Sequence, residues 1–599
     1  MSAVTAWNAG HSIALPRLGF VSLMQAITSI RNWYTKDLSG FEKLILSPLI
    51  LTVLLLGILN LIVIIFAAPH NWDSMTYHLA RVAYYLQHHN LDYFDANYWA
   101  QVTHPKNSSL LLLYTYLISW RNENLTQLVQ YISYWVAVSG VYAISMKVGN
   151  NRAQSIFAAM VSALLIEWLM QATTTQNDLI LTAYFGATVY FLFAFRETNK
   201  WKYLAFSGLG IGLSVGTKET SFLALPSIGL LALYTLFKPG AGMVLQKRLR
   251  NFATWVMCTL LALCMFALPS GYVENYRDFG HPFGPKEIRA EHSFEGQPVD
   301  FIIRNGTKNL VRFGSDFLSL DGMPPISIVN KAQIFIRALP EKFVRQLGME
   351  LDSPEATRTP FDIQKMPRAS EDYSYWGILG FCLVWPAVLL SLAGIIKPID
   401  IRMLSVAAVL FFLIQSYAGP YDIWRGRYFT TVATLAAPIV GVCLQTQKRF
   451  LRAYCILIIF AGCISAISAV VLGENSVLVT VDYKNKLMKS TFAMERMEQL
   501  TRNRTRYYEP LKRFDELVPN DAVVAAFLYA KSFEYPLFGK QLTRTIMPVN
   551  SFIKGIQPIP VNAEYLLYAD GFPCARREDI FLGANWYLRH LTDNNRRCN

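Results

Sequence analysis

Between residues 70 and 89 the chain reads HNWDSMTYHLARVAYYLQHH. Asp73, Tyr77 and Arg81 lie four residues apart, the spacing that lines side chains along one face of a helix, and His78 stands next to that line. A carboxylate so placed takes the proton of an attacking hydroxyl, and a guanidinium holds an anion. The plainer use of Asp73 is as a helix N-cap, where its oxygen accepts an orphan backbone N–H. That use does not account for the rest of the polar stripe. Further ionisable residues stand in short polar stretches beside apolar runs: Asp178 in TTTQNDLILTAYF, Lys218 and Glu219 in GLGIGLSVGTKETSFLALP, and Arg425, Arg427 and Tyr428 in YDIWRGRYFTTVATLAAP. Each has a bland alternative: Asp178 as a cap, Lys218 and Glu219 as a neighbouring ion pair, and the arginines as interfacial anchors.

The elements that position these residues are membrane spans. A chain of 599 residues that is 53% hydrophobic, 14% aromatic and only 16% charged is a polytopic membrane protein, mainly α. About 20 apolar residues cover a hydrocarbon core of about 30 Å. By that measure, relaxed for short runs, about eleven spans are predicted: 44–67, 125–146, 153–170, 178–195, 203–217, 220–237, 252–273, 374–396, 403–418, 429–445 and 454–473. The first is too long, and starts too far in, for a cleavable signal peptide. The net charge of +14 does not point to nucleic acid, because Lys and Arg gather in short clusters beside spans. If the spans alternate, Lys147 and Arg152, Arg196 to Lys202, Lys238 to Arg250, Lys397 and Arg402, and Lys448 to Arg452 share one side, the cytoplasmic one. The 13-residue run 108–120 must then be re-entrant or interfacial.

In that register residues 1–43 are cytoplasmic, with PRLGFVSLMQAITSIRNWY as an interfacial helix. Residues 44–473 form the transmembrane domain, and 68–124 and 274–373 are its large external loops. The longer of these, with Pro and Gly punctuation, reads as a lid or wall. Residues 474–599 are an extracytoplasmic tail with a small α/β domain: strands at DAVVAAFL, QLTRTIMPV and AEYLLYAD, helices at 484–502, 507–517 and 577–591. Nearly every polar motif thus lies at the external membrane surface, where unpaired ionisable groups are expensive and mark function. Six of the eight cysteines fall in or beside spans, leaving Cys574 and Cys598 as an external pair.

Taken in order, these motifs resemble the GT-C glycosyltransferases, which include protein O-mannosyltransferases and bacterial aminoarabinose transferases. The resemblance covers roughly residues 44 to 445. It rests on NWDSMTYHLARV, on HPKNSSLLLLYTYL where the family usually shows two prolines, on TTTQNDLILTAYF, on the glycine-rich helix ending at Lys218, on NYRDFGHPFGP and on the Arg-Tyr motif at Arg427 and Tyr428. It implies inverting transfer of a sugar from a polyprenyl-phosphate donor to a lipid, glycan or protein acceptor, with Asp73 as catalytic base. Tyr77, His78, Arg81, His104, Lys106, Asp178, Lys218, Glu219, Arg425, Arg427 and Tyr428 make up the substrate-binding set, the cations serving the departing lipid phosphate. His104 and His281 read as structural histidines rather than metal ligands. Some relatives with paired acids in the first two loops use a divalent ion, and Asp73 and Asp178 are such a pair; without a His or Cys cluster, no obligatory metal is expected. The setting implied is a bacterial plasma membrane, with membrane lipids as the remaining partners and the site extracytoplasmic. The rival is a transporter or flippase of lipid-linked saccharides, which predicts inverted repeats and broken helices at mid-membrane. A scaffold without catalysis predicts an Asp73 buried away from any cavity.

Overall fold

The computed structural model describes residues 25, 28, 29, 31–238, 244–346, 348–474, 477–483 and 486–596. Most of the interfacial helix expected within 16–34 lies outside them, as does Cys598; Cys574 is disulfide-bonded.

Among the described residues eight helices are long and apolar enough to cross a membrane. They are α1 (Gly40–Phe66), α2 (Glu123–Lys147), α3 (Asp178–Thr198), α4 (Glu219–Phe237), α5 (Leu245–Ser270), α6 (Ile399–Tyr417), α7 (Ile423–Gln445) and α8 (Arg449–Leu472). The other three predicted spans are helical but short or broken. Residues 153–170 divide into Arg152–Ala163 and Ile166–Gln171, 203–217 into a single helix Lys202–Val215, and 374–396 into Gly377–Leu392. At 1.5 Å per residue a 14-residue helix is about 21 Å long, less than the hydrocarbon core. Asn107–Ile118, 12 residues long, is shorter still, as the reading of 108–120 required.

The predicted alternation brings the basic clusters to one end of this bundle. Lys147 pairs with Glu197, and Arg196 grips Asp400 through two bonds of 2.6 and 2.8 Å. Lys238 reaches the same carboxylate at 3.1 Å, and the Tyr234 hydroxyl donates to it. The glycine-rich stretch brings backbones together at the opposite half of the bundle. A Cβ at Gly208 or Gly212 would stand 2.7 or 2.6 Å from backbone atoms of α5, and one at Gly216 2.2 Å from the Phe266 carbonyl. Glycine at this four-residue spacing lets two helices touch through their backbones. The helix then ends at Gly216, two residues before Lys218.

Residues 274–373 are more ordered than their punctuation suggests. Helices Lys286–His292, Val299–Phe317 and Ser327–Gln346 build a layer over the bundle end. A buried Asp316–Arg337 pair at 3.0 Å anchors it, and Tyr421, just before α7, donates to Asp316 at 2.8 Å.

The tail holds a five-stranded mixed sheet of β1 (Val523–Phe527), β2 (Thr545–Pro548), β3 (Tyr565–Ala569), β4 (Ile580–Gly583) and β5 (Trp586–His590), in the order β2-β1-β3-β5-β4. The first three match the predicted strands. The helix expected over 577–591 is instead the β4–β5 hairpin: Gly583, Ala584 and Asn585 all adopt positive φ, and the paired strands bury Leu582, Trp586 and Leu588. Among the described residues of the helix expected over 484–502 only Arg496–Thr501 is α-helical, while Tyr508–Leu517 matches its prediction.

The sheet domain is docked onto the first large loop. Glu534, 2% exposed, accepts from Gln101 at 2.8 Å and from Tyr84 and Asn97 at 3.1 Å. Arg496 and Tyr535 close on Glu123 at the start of α2.

Candidate active site

α1 ends at Phe66, and the chain then makes a single wide turn of π-helix, Ser74–His78, before the helix Leu79–His88. Such turns re-aim side chains and cluster at functional sites. The N-cap task here falls to Asn71, whose Oδ1 accepts from the Ser74 N–H at 2.9 Å, and Asp73 makes no cap bond. Its carboxylate is free to face outward and keeps 14% side-chain exposure. That answers the capping reading.

Two carboxylate–cation pairs form the centre. Arg427, from the first turn of α7, donates to Asp73 Oδ2 at 2.5 Å, and Lys218 donates to Asp178 Oδ1 at 2.5 Å. Tyr428 ties the pairs together, with the Lys218 ammonium 4.8 Å from its ring centre. A third carboxylate joins them: Asp372 stands 3.6 Å from the same Arg427 nitrogen and accepts from Gln176 at 2.9 Å. Sequence reasoning passed over both Asp372 and Gln176. Gln176 is two residues from Asp178 in a motif already singled out; Asp372 precedes a predicted span, the one signal that marked it.

The two acids differ in their fields. Burial acts to raise the pKa of Asp73, but Arg427, with Lys218, outweighs it and holds the carboxyl below its usual range. Burial pushes Asp372 up to about 6 against the pull of Arg427, with the Asp73 charge adding to the rise. Tyr77 is driven upward by burial and by Asp73, so its phenol stays a donor. Burial holds His78 well below the usual histidine value, leaving a neutral ring 4.2 Å from that of Tyr77. His104 completes the wall, 5.4 Å from Tyr77 and bonded to Glu219 through Nδ1 at 2.9 Å.

Several buried polar atoms here have no hydrogen-bond partner among the described residues: Asp178 Oδ2, His78 Nε2, Arg427 Nε and Gln176 Oε1. Buried polar groups are nearly always paired, so four open valences in one cluster mark a place built to receive a ligand. Among the described residues no three His, Cys, Asp or Glu converge to hold a metal ion, and Asp73 and Asp178 each already face a cation.

Residues 104–270 match the family model of dolichyl-phosphate-mannose-protein mannosyltransferases. That stretch holds His104, Lys106, Asp178, Lys218 and Glu219, but neither Asp73 nor Arg427. Among solved structures, apo ArnT from Cupriavidus metallidurans is 10% identical with a TM-score of 0.50, over 90% of this chain and 97% of ArnT. The same protein bound to undecaprenyl phosphate gives 10%, 0.51 and the same coverage. The Archaeoglobus fulgidus oligosaccharyltransferase is 12% identical over 90% of this chain and 70% of its own, with a TM-score of 0.46. Curated protein sequences give no match. The chain has the GT-C glycosyltransferase fold.

Within this GT-C fold three predicted substrate-binding residues turn out to hold the site together instead. Arg81 is 1% exposed, and its five N–H groups go to the carbonyls of Ala100, Gln101, His104 and Pro105 and to Ser109 Oγ. No donor is left for a phosphate or for Asp73. Helix spacing placed Arg81 on the right face, but that face meets the folded-back loop. Lys106, also buried, is consumed by Glu274 at 2.7 Å and the Leu91 carbonyl at 3.0 Å, joining the two large loops. Arg425, 6% exposed, donates to the His292 carbonyl at 2.8 Å and pins the longer loop to α7. The candidate site therefore gathers Asp73, Tyr77, His78, His104, Asp178, Lys218, Glu219, Arg427 and Tyr428, and adds Asp372.

Proposed function

We propose that this membrane glycosyltransferase inverts configuration as it moves a sugar from a polyprenyl-phosphate donor to an acceptor hydroxyl, with Asp73 as the base. One observation carries the reading: Asp73, free of any capping duty, is ionised, partly exposed, and latched to an arginine from a distant span beside a second such pair.

The acceptor oxygen attacks the anomeric carbon and Asp73 takes its proton. The bond from that carbon to the phosphate oxygen breaks, and the departing polyprenyl phosphate carries the negative charge. Arg427 and Lys218 are the cations placed to receive it. Both are engaged by carboxylates in this structure, so donor phosphate must draw them away. That exchange frees Asp73 at the moment its base is needed. Tyr77 and the His104–Glu219 pair lie where the acceptor approaches, and Asp372 keeps Arg427 close while it changes partner.

The basic clusters at the opposite end of the bundle support a site on the extracytoplasmic face of a bacterial plasma membrane. In this reading residues 1–43 are cytoplasmic, 44–473 form the catalytic membrane domain and 474–599 stand outside. The acceptor is a lipid, glycan or protein, nucleic acid has no part, and no metal is obligatory. The transporter alternative gains nothing from the structure, since the residues of the candidate site gather at one end of the bundle and not at its middle.

The test uses the full chain in nanodiscs with a panel of polyprenyl-phosphate sugars and of lipid, glycan and peptide acceptors, with and without excess EDTA, and mass spectrometry of released polyprenyl phosphate. Wild type should release it in both conditions and Asp73→Asn in neither. Release by both proteins alike would overturn the reading; release only without EDTA would overturn its metal-free form.

A further inference from the structure

At the basic end of the bundle, far from the site, a cavity of about 520 Å³ opens where the C-terminus of α3, the start of the helix Lys202–Val215 and the first turns of α5 meet. Lys200, Lys202, Lys247 and Arg250 line it together with Trp201 and Asn199, and no carboxylate does. A cationic rim at a cytoplasmic helix end is ordinary in itself. This one differs from the neighbouring cluster around Glu197 and Asp400. Lys147, Arg196 and Lys238, at the same end, are each neutralised by Glu197 or Asp400. Among the described residues the four cavity cations have no carboxylate partner, and they surround a concavity with the volume of a ligand site.

The wall beside the cavity is apolar and uncovered. Only 17% of the apolar window of α5 is buried in the chain, the lowest share of the eight spans. Leu245, Leu249, Met257 and Leu261 along that helix are all exposed, so apolar surface winds down α5 from the level of the cavity. Trp201, 68% exposed, sits at the rim in the manner of an interfacial anchor. A ligand that matches both parts has a compact anionic head and hydrocarbon tails.

We infer that this cavity binds the phosphate head group of an anionic phospholipid, whose acyl chains lie along α5. Basic pockets at the cytoplasmic ends of spans attract such head groups, each cation near the surface strengthening binding about fivefold. The inference does not depend on sugar transfer.

The test is native mass spectrometry of the full chain released from nanodiscs of equal phosphatidylglycerol and phosphatidylcholine. Wild type should retain phosphatidylglycerol in preference to phosphatidylcholine. Lys247→Gln with Arg250→Gln should lower that retention by roughly tenfold or more, while Lys247→Arg with Arg250→Lys should keep it. Equal retention of the two lipids, or undiminished retention in the neutralised variant, would overturn the inference. Displacement of the lipid by glycerol phosphate at comparable concentration would also overturn it, because the site would then read a free phosphate and not a lipid.

Discussion

Two carboxylate–cation clusters stand at opposite ends of this bundle, and they are built differently. At the basic end Asp400 is saturated, with two bonds from Arg196, one from Lys238 and one from Tyr234. At the other end Asp73 and Asp178 each hold one cation, and Asp178, Arg427, His78 and Gln176 keep buried valences open. A saturated cluster ties spans together and has nothing left to offer. An unsaturated one stays folded only because the surrounding loops impose it, and its open valences are what a substrate can use. The two clusters differ less in charge than in how fully their hydrogen-bonding atoms are used.

The largest expected effect breaks the comparison at Asp73. Asp73→Asn keeps the size of the side chain but cannot accept a proton, so turnover should fall by about two to four orders of magnitude while the melting temperature stays near wild type. Next come the cations. Arg427→Ala and Lys218→Ala each remove a charge-assisted contact worth about 1.5–3 kcal/mol, which weakens donor affinity roughly ten- to a hundredfold in a titration with polyprenyl phosphate.

Asp372 sharpens the comparison through pH. Its carboxyl is raised to about 6 in the fold, so the folded state holds its proton more tightly than the unfolded chain does. Stability from this group is therefore full below the unfolded value near 4 and declines as pH rises towards 6. Asp372→Asn should raise the melting temperature at pH 7.5 and leave it unchanged at pH 3.5. The smallest effect on activity belongs to the saturated cluster: Asp400→Asn should lower the melting temperature, yet change turnover by less than about twofold.

Asp73, Asp178, Lys218 and Arg427 were legible in the sequence because each interrupts or borders an apolar run, where the cost of an ionisable group makes it conspicuous. Asp372 also borders a predicted span, but it follows Glu371 at the end of a long polar loop, where the contrast is weak. Spacing grouped Arg81 with Asp73 and Tyr77 but was silent about what their shared face meets, and the carbonyls of residues 100–105 decided its role. The eight long spans declared themselves through length and apolarity. The three short ones did so only in part, because helices enclosed by other helices need not match the bilayer. The β4–β5 hairpin reads as helix in the local pattern because β5 is fixed by pairing with β3, a contact distant in sequence, and β4 then pairs with β5.

The central claim is that donor phosphate unlatches Arg427 from Asp73. A cryo-EM structure of the chain in nanodiscs with polyprenyl phosphate bound tests it directly. The account predicts the phosphate within hydrogen-bond distance of Arg427 and Lys218, with the Arg427–Asp73 bond of 2.5 Å opened and the Asp73 carboxylate facing the acceptor side. A phosphate seated elsewhere, with both ion pairs intact, would contradict it.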